Sequence, residues 1–293
     1  MLIPVICVHL LSSHGLKLTL PFLLFAFLTT SSCLAQQNPP DAEERTQARE
    51  ALTKGVQAFR DGQSEDAVNE FSRAKQLDPQ LLDARLYLAT ALASQYIPGA
   101  PSEDNRQLGK RAVEEFKGVL QIDSGNLRAI DGIGSLLFQM AETPPMDLDL
   151  FKQSKSFHEK HIQIKPNDPE PCYWMGVIDW TLVFRANNEL REKYNEVFGS
   201  EKLAEADPLP PYLQVQYATQ FGPTIDEGIG YLKKALTLKP DYDDAMAYLN
   251  LLYRRKADTV WQDDEREKWI TMADDLLDKI NEIKQKRAEQ QPQ

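Results

Sequence analysis

The sequence predicts an all-α protein, a right-handed α-solenoid of about six antiparallel helix pairs over residues 42–288, with no sheet. Three observations predict it. The stretch Ala48–Pro79 is an uninterrupted helix-turn-helix unit, small residues recur where the helices of such a unit must cross, and Pro79, Pro166 and Pro240 recur where second helices must stop. Two helices approach to roughly 8–10 Å only when the crossing residues are small. Gly55 and Ala67 are small, and Phe71 is expected to fill the wedge beside them. Asp61-Gly62 breaks the first helix, Ser64 is the expected cap of the second with Glu65 and Asp66 in its first turn, and Pro79 ends it. A single unit cannot bury its own apolar face, so further units must follow.

Counted from Ala48 as position 1, Gly55 falls at 8, Ala67 at 20, Phe71 at 24, Ala74 at 27 and Pro79 at 32. This spacing resembles the tetratricopeptide (TPR) repeat, whose unit is about 34 residues. On that frame the repeats run over 42–80, 81–125, 126–167, 168–208, 209–240 and 241–288. The second uses Leu88, Ala89 and Leu92, then Ala112, Phe116 and Val119; Ala67 to Ala112 is 45 residues, about 11 beyond the repeat length. The third uses Ile130, Ile133, Gly134 and Leu137, then Ser154, His158 and His161, with an insertion of about 8 residues around Thr143–Met146. The fourth opens with Cys172, Met175, Gly176 and Trp180, and its second helix is expected over Asn187–Phe198. From Leu209 the register returns through Gly228, Leu232 and Ala235, with Thr224–Glu227 as a capping box. A competing reading makes 187–222 one large insertion. The sixth uses Met246, Leu249, Asn250 and Tyr253, then Ala273, Leu277 and Ile280. Its last helix is charged and suits a solvated end cap, and 289–293 form a tail. The insertions all fall between first and second helices, so they should emerge along one edge, where insertions often mark a binding surface.

Residues 1–35 differ in kind. Lys17 precedes an apolar run from Leu18 to Leu28, then small and polar residues to Ala35, the zone order of a secretory signal. The run is too short for the roughly 20 residues that span a bilayer. Cleavage after Ala35 predicts a soluble exported protein, periplasmic or associated with the cell envelope; the alternative is a lipoprotein signal ending before Cys33, which would tether the chain to a membrane through lipid on Cys33. The bacterial lipoprotein pattern prefers an aliphatic residue three before the cysteine, and Thr30 stands there. Residues 36–41, with Asn38-Pro39-Pro40, read as a linker. The net charge is −11, and −12 without the leader. That balance opposes nucleic-acid binding, which needs clustered Lys and Arg.

The sequence carries no catalytic pattern. His158-Glu159-Lys160-His161 has its histidines three apart, not four, and both fall at packing positions 24 and 27, so they are expected to be structural. Gly132 and Gly134 follow no strand and are expected as helix-crossing glycines. Cys172 reads as a small buried residue. No nucleophile pairs with a base, and no cofactor or metal is expected.

In TPR proteins the first helix of each pair lines the concave surface. The resemblance therefore implies a partner-binding groove of Arg49, Phe59 and Arg60; Arg128, Asp131 and Phe138; Tyr173 and Trp180; Tyr217 and Phe221; and Arg254 and Arg255. Aromatics and arginines are the side chains enriched at interface hot spots. Members that clamp a chaperone's terminal carboxylate carry Lys and Asn where this chain has Leu52 and Val56, so that clamp is not implied. The expected function is a non-catalytic scaffold of the bacterial cell envelope binding a protein or peptide through the groove or the inserted loops. A structural, lipid-anchored subunit of an envelope assembly is the alternative, and an enzyme with a site in the loops is third.

Overall fold

The computed structural model describes residues 39–199 and 202–290. The leader and Cys33 lie outside them. The described residues form ten helices and no strand: α1 (Ala42–Arg60), α2 (Ser64–Leu77), α3 (Leu82–Gln95), α4 (Glu103–Ile122), α5 (Leu127–Ala141), α6 (Leu148–Ile164), α7 (Pro169–Val197), α8 (Pro211–Leu238), α9 (Asp243–Ala257) and α10 (Asp263–Gln290). Each helix packs on the next, and α1 on α3, α3 on α5 and α7 on α9, so that successive hairpins stack with their first helices side by side. The fold is a TPR-like α-solenoid. None of these helices is long and apolar enough to cross a membrane.

The first hairpin forms as its residues dictate. Asp41 caps α1 by accepting from the Glu43 and Glu44 amides at 2.9 and 2.8 Å, while Glu44 accepts from the Asp41 amide. Gly62 takes φ +76°, a left-handed conformation that costs glycine little, and the turn is closed by Gln63 N donating to Ala58 O at 2.9 Å. The cap of α2 is Gln63, not Ser64: Ser64 is already the first helical residue, and Glu65 and Asp66 in the first turn favour the exposed amides electrostatically. At the crossing, Ala67 is fully buried, and a Cβ on Gly55 would lie 2.6 Å from the Phe71 ring. The same contact recurs. A Cβ on Gly134 would lie 2.8 Å from His158 Nε2, and one on Gly176 would lie 2.3 Å from Leu232 Cγ.

That last contact corrects the repeat count. Gly176 on α7 meets Leu232 on α8, so the expected fourth and fifth repeats are one hairpin, and the described chain has five hairpins instead of six. Residues 187–222 lengthen both of its helices and supply the loop between them, which is the competing reading. The chain is helical through Gly222-Pro223 and on across Thr224–Glu227, where a capping box was expected. Pro223 faces solvent, so the carbonyl left without a donor stays accessible to water, and Tyr217 and Ile225 on the buried face are wholly enclosed. Burying two such side chains outweighs the roughly 3 kcal/mol an interior proline costs. Glu227 caps nothing; it takes Lys155 of α6 at 2.9 Å, and Lys155 also reaches the buried Asp179 of α7 at 2.8 Å, tying three helices. Elsewhere the inserted residues mostly extend second helices, leaving loops of only 96–102 and 142–147. At the C-terminus α10 runs to Gln290, into the stretch expected as tail.

The core is divided. One cluster, including Phe71, Leu92, Phe116 and Ile133, fills α1–α5, and another, including Tyr217, Leu232, Leu249 and Ile280, fills α7–α10. Between them lies an aromatic bridge in which Phe138 meets Phe151 and Trp174, each at 5.8 Å between centroids.

Because Ala67 is wholly buried at the α1–α2 crossing, Ala67→Leu overpacks it and is expected to cost roughly 1–3 kcal/mol. Urea denaturation followed by circular dichroism measures this, and an unchanged midpoint would contradict the placement.

Candidate functional site

The first helices of the last two hairpins present a continuous aromatic strip. Trp180 and Phe184 stand one turn apart on α7, so their rings share a face of the helix and stack at 5.0 Å and 18°. Tyr248 of α9 meets the Trp180 edge at 5.2 Å and Tyr173 at 5.7 Å, and Tyr173 in turn lies 5.2 Å from Tyr242. These rings are half-buried except Tyr242, which is buried. Beside Trp180 and Phe184 the 142–147 loop leaves a depression of about 460 Å³, bounded by Glu142, Pro144, Met146, Arg185, Glu189 and Glu192. Arg185 faces Glu142 at 3.7 Å.

Carboxylates flank the strip. Burial holds the Tyr248 phenol above its ordinary pKa, and the carboxylates of Glu142 and Asp244 push it further. Tyr173 is raised by burial and then by Tyr248, Asp244 and Glu170, and Tyr242 by burial and by donating to Glu170 at 2.6 Å.

A second depression of about 360 Å³ lies on the other side of Pro144, between the two inserted loops, with Tyr96, Met140 and Leu150 as its apolar lining and Arg106, Lys110 and Asp147 around it. Asn105 clamps the first loop, accepting from Ile97 N and donating to Ile97 O, both at 2.8 Å. The Tyr96 hydroxyl and Thr143 Oγ1 join the loops at 3.2 Å. These two inserted loops therefore share one edge, and the second of them borders the aromatic strip.

Of the expected groove residues, the structure brings Tyr173 and Trp180 into the strip and disperses the others. Arg49 and Arg60 are exposed on α1, and Phe59 packs against the first core cluster. Arg128 lies at the start of α5 with its guanidinium 5.6 Å from the Tyr87 ring, about 20 Å along the helix from Glu142, so it does not share the Trp180 concavity. Phe138 is buried in the aromatic bridge, and Asp131 bonds His161 Nδ1 at 2.6 Å. Tyr217 and Phe221 lie on a second helix, not a first; Tyr217 is wholly buried and donates to Val183 O at 2.8 Å, and Phe221 packs on it. Arg254 pairs with Asp274 at 2.6 Å, and Arg255 is buried, donating to Asn187 at 2.7 Å beside Asp258. Phe184 and Tyr248 were missed. Phe184 is signalled by standing four residues after Trp180, one turn along the same helix; Tyr248 carries no signal beyond being aromatic on a first helix.

Both histidines are internal. His158 fills the space over Gly134, stacks on Trp174 at 6.1 Å, and neither ring nitrogen meets a protein partner. Burial, followed by the nearby His161, lowers its pKa to about 4. Gly132 backs onto Phe116, and Cys172 is wholly buried, its thiol pushed up by burial. Among the described residues no group of His, Cys, Asp or Glu is placed to hold a metal.

No protein-family model matches the sequence, and no curated protein matches it. Among solved structures the chain is similar to one described as the crystal structure of MamA protein, at 15% identity and a TM-score of 0.52 over 84% of this chain and 97% of that one. It is likewise similar to a MamA RS-1 ArsTM double mutant, at 16% identity and a TM-score of 0.53 over 82% and 96%. At such identities the likeness is one of fold, a helical-repeat solenoid.

Because His158 is neutral when folded, the native state binds fewer protons than the unfolded chain between pH 6.5 and about 4, and stability is lost as pH falls through that window. Its share of the loss between pH 7 and pH 5 is about 2 kcal/mol. His158→Leu is therefore expected to shrink the acid-induced fall in stability by that amount, measured by urea titrations at the two pH values. An identical pH slope would show that His158 is not buried neutral.

Proposed function

We propose that the protein is a non-catalytic interaction scaffold that binds a peptide segment of a partner protein on the strip formed by Tyr173, Trp180, Phe184 and Tyr248 and in the pocket beside it. The observation that carries this reading is the strip itself: four aromatic side chains, half-buried and contiguous across two hairpins, next to a depression able to accept side chains. Aromatic rings give large contact area at little entropic cost, and such clusters dominate interface energetics. An extended segment lying across α7 and α9 can bury its side chains there. Export to the cell envelope is part of the proposal, supported by the charged, apolar and small-residue zones of residues 1–35.

Trp180 both lines the pocket and packs, half-buried, on the α7–α10 core, so Trp180→Ala is expected to lower the thermal midpoint and, in protein that remains folded, to weaken partner binding by about 2 kcal/mol or more. Arg128→Ala, outside the strip, should leave binding unchanged. Affinity capture from envelope extract with quantitative mass spectrometry, run beside melting curves, measures both. Retained capture by folded Trp180→Ala would end the assignment.

A further inference from the structure

The charge around the Trp180 pocket bears on which segment it would take, an inference resting on the peptide-binding reading above. Three carboxylates, Glu142, Glu189 and Glu192, border the pocket against one cation, Arg185. Arg185 is already opposed to Glu142 at 3.7 Å, while Glu189 and Glu192 make no ion pair among the described residues and are exposed. Asp244 adds to the same field beside Tyr248. Trp180 and Phe184, which stack on each other, line the pocket, and aromatic π faces carry negative potential. Elsewhere on the same strip a cation already uses such a face: Lys239 Nζ sits 4.2 Å from the Tyr242 ring centroid. None of the groove arginines stands at this pocket: Arg49 and Arg60 are on α1 of the first hairpin, Arg128 is about 20 Å along α5, Arg254 is held in a surface pair with Asp274, and Arg255 is buried beside Asp258.

We propose that this pocket receives an arginine or lysine side chain from a basic, extended peptide segment of the partner, the cation lying on the Trp180–Phe184 faces within reach of Glu142, Glu189 and Glu192. A desolvated cation over an aromatic face, with a carboxylate alongside, gains from both. The site suits a peptide because it is not closed. Pro144 also lines the second depression, where Met140 and Leu150 offer an apolar seat for a neighbouring side chain. Arg106 and Lys110 stand on that far side, so the preference for positive charge is confined to the Trp180 side. The overall charge of −11 favours encounter with a cationic segment in the same sense.

The test uses short fluorescent peptides of one apolar sequence carrying arginine, uncharged citrulline or glutamate at the same positions, titrated against the full chain by anisotropy at low and moderate salt. The arginine peptide is expected to bind about tenfold tighter than its citrulline counterpart and to weaken with salt. The double variant Glu142→Gln, Glu189→Gln, conservative in shape and at the surface, should remove most of that difference while remaining folded. Equal binding of the three peptides, abolished by Trp180→Ala, would overturn the charge preference and leave the aromatic strip as the binding surface. Binding of none of them, or binding indifferent to Trp180→Ala, would overturn both.

Discussion

The structure depends on one steric arrangement, a residue without a side chain on the first helix of a hairpin set against a bulky side chain from the second. Gly55 faces Phe71, Gly134 faces His158 and Gly176 faces Leu232, each so closely that a single Cβ would collide. With the helices drawn together in this way, the outer faces of each pair align to receive the next hairpin, and the first helices stack side by side. The knob need not be apolar in chemistry. At Gly134 it is an imidazole, whose burial between α5 and Trp174 compels it to remain neutral, so a packing requirement becomes a dependence of stability on pH.

The fourth hairpin shows what the arrangement permits. The crossing fixes only one point on each helix, so both can be prolonged beyond it without disturbing the stack. The extension of α7 is held by a buried polar network in which Asn187 and Arg191 meet Arg255 and Asp258 of the next hairpin, and Arg191 also donates to the Ala204 carbonyl at 2.6 Å. Burial opposes charge here, raising the pKa of Asp258 and lowering that of Arg191, and the mutual hydrogen bonds compensate. The candidate site is a product of the extension. Phe184, Arg185, Glu189 and Glu192 all come from the part of α7 at or beyond the end of an ordinary first helix, and they meet the 142–147 loop of the preceding hairpin.

Much of the fold was legible because its determinants are local. Gly55, Ala67 and Phe71 stand at spacings that only a helix crossing explains, and Asp61-Gly62 and Pro79 mark the ends of their helices. The assignment of both histidines to packing positions likewise followed from register alone. The fourth hairpin was not legible, because Gly222-Pro223 is a strong local stop signal and the burial of Tyr217 and Ile225 that overrides it is tertiary. Of the site, Tyr173 and Trp180 were visible as aromatics on a first helix. Its charge was not, since Glu142, Glu189 and Glu192 are brought together only when α7 is known to continue past Asn187, and Arg255, which reads as a surface arginine, is drawn inward by that same continuation.

The steric claim is tested most directly where it also fixes the pairing of the chain, by a double-mutant cycle on Gly176 and Leu232. In an exposed helix Gly→Ala would stabilise by roughly 1 kcal/mol. Against Leu232, Gly176→Ala should instead destabilise, and Leu232→Ala alone should cost about 2–5 kcal/mol through the cavity it leaves. In the Leu232→Ala background the added methyl group has room, so Gly176→Ala should become neutral or stabilising, giving a coupling of about 1 kcal/mol or more by urea denaturation. Additive effects, with Gly176→Ala stabilising in both backgrounds, would mean that α7 does not cross α8 at this glycine.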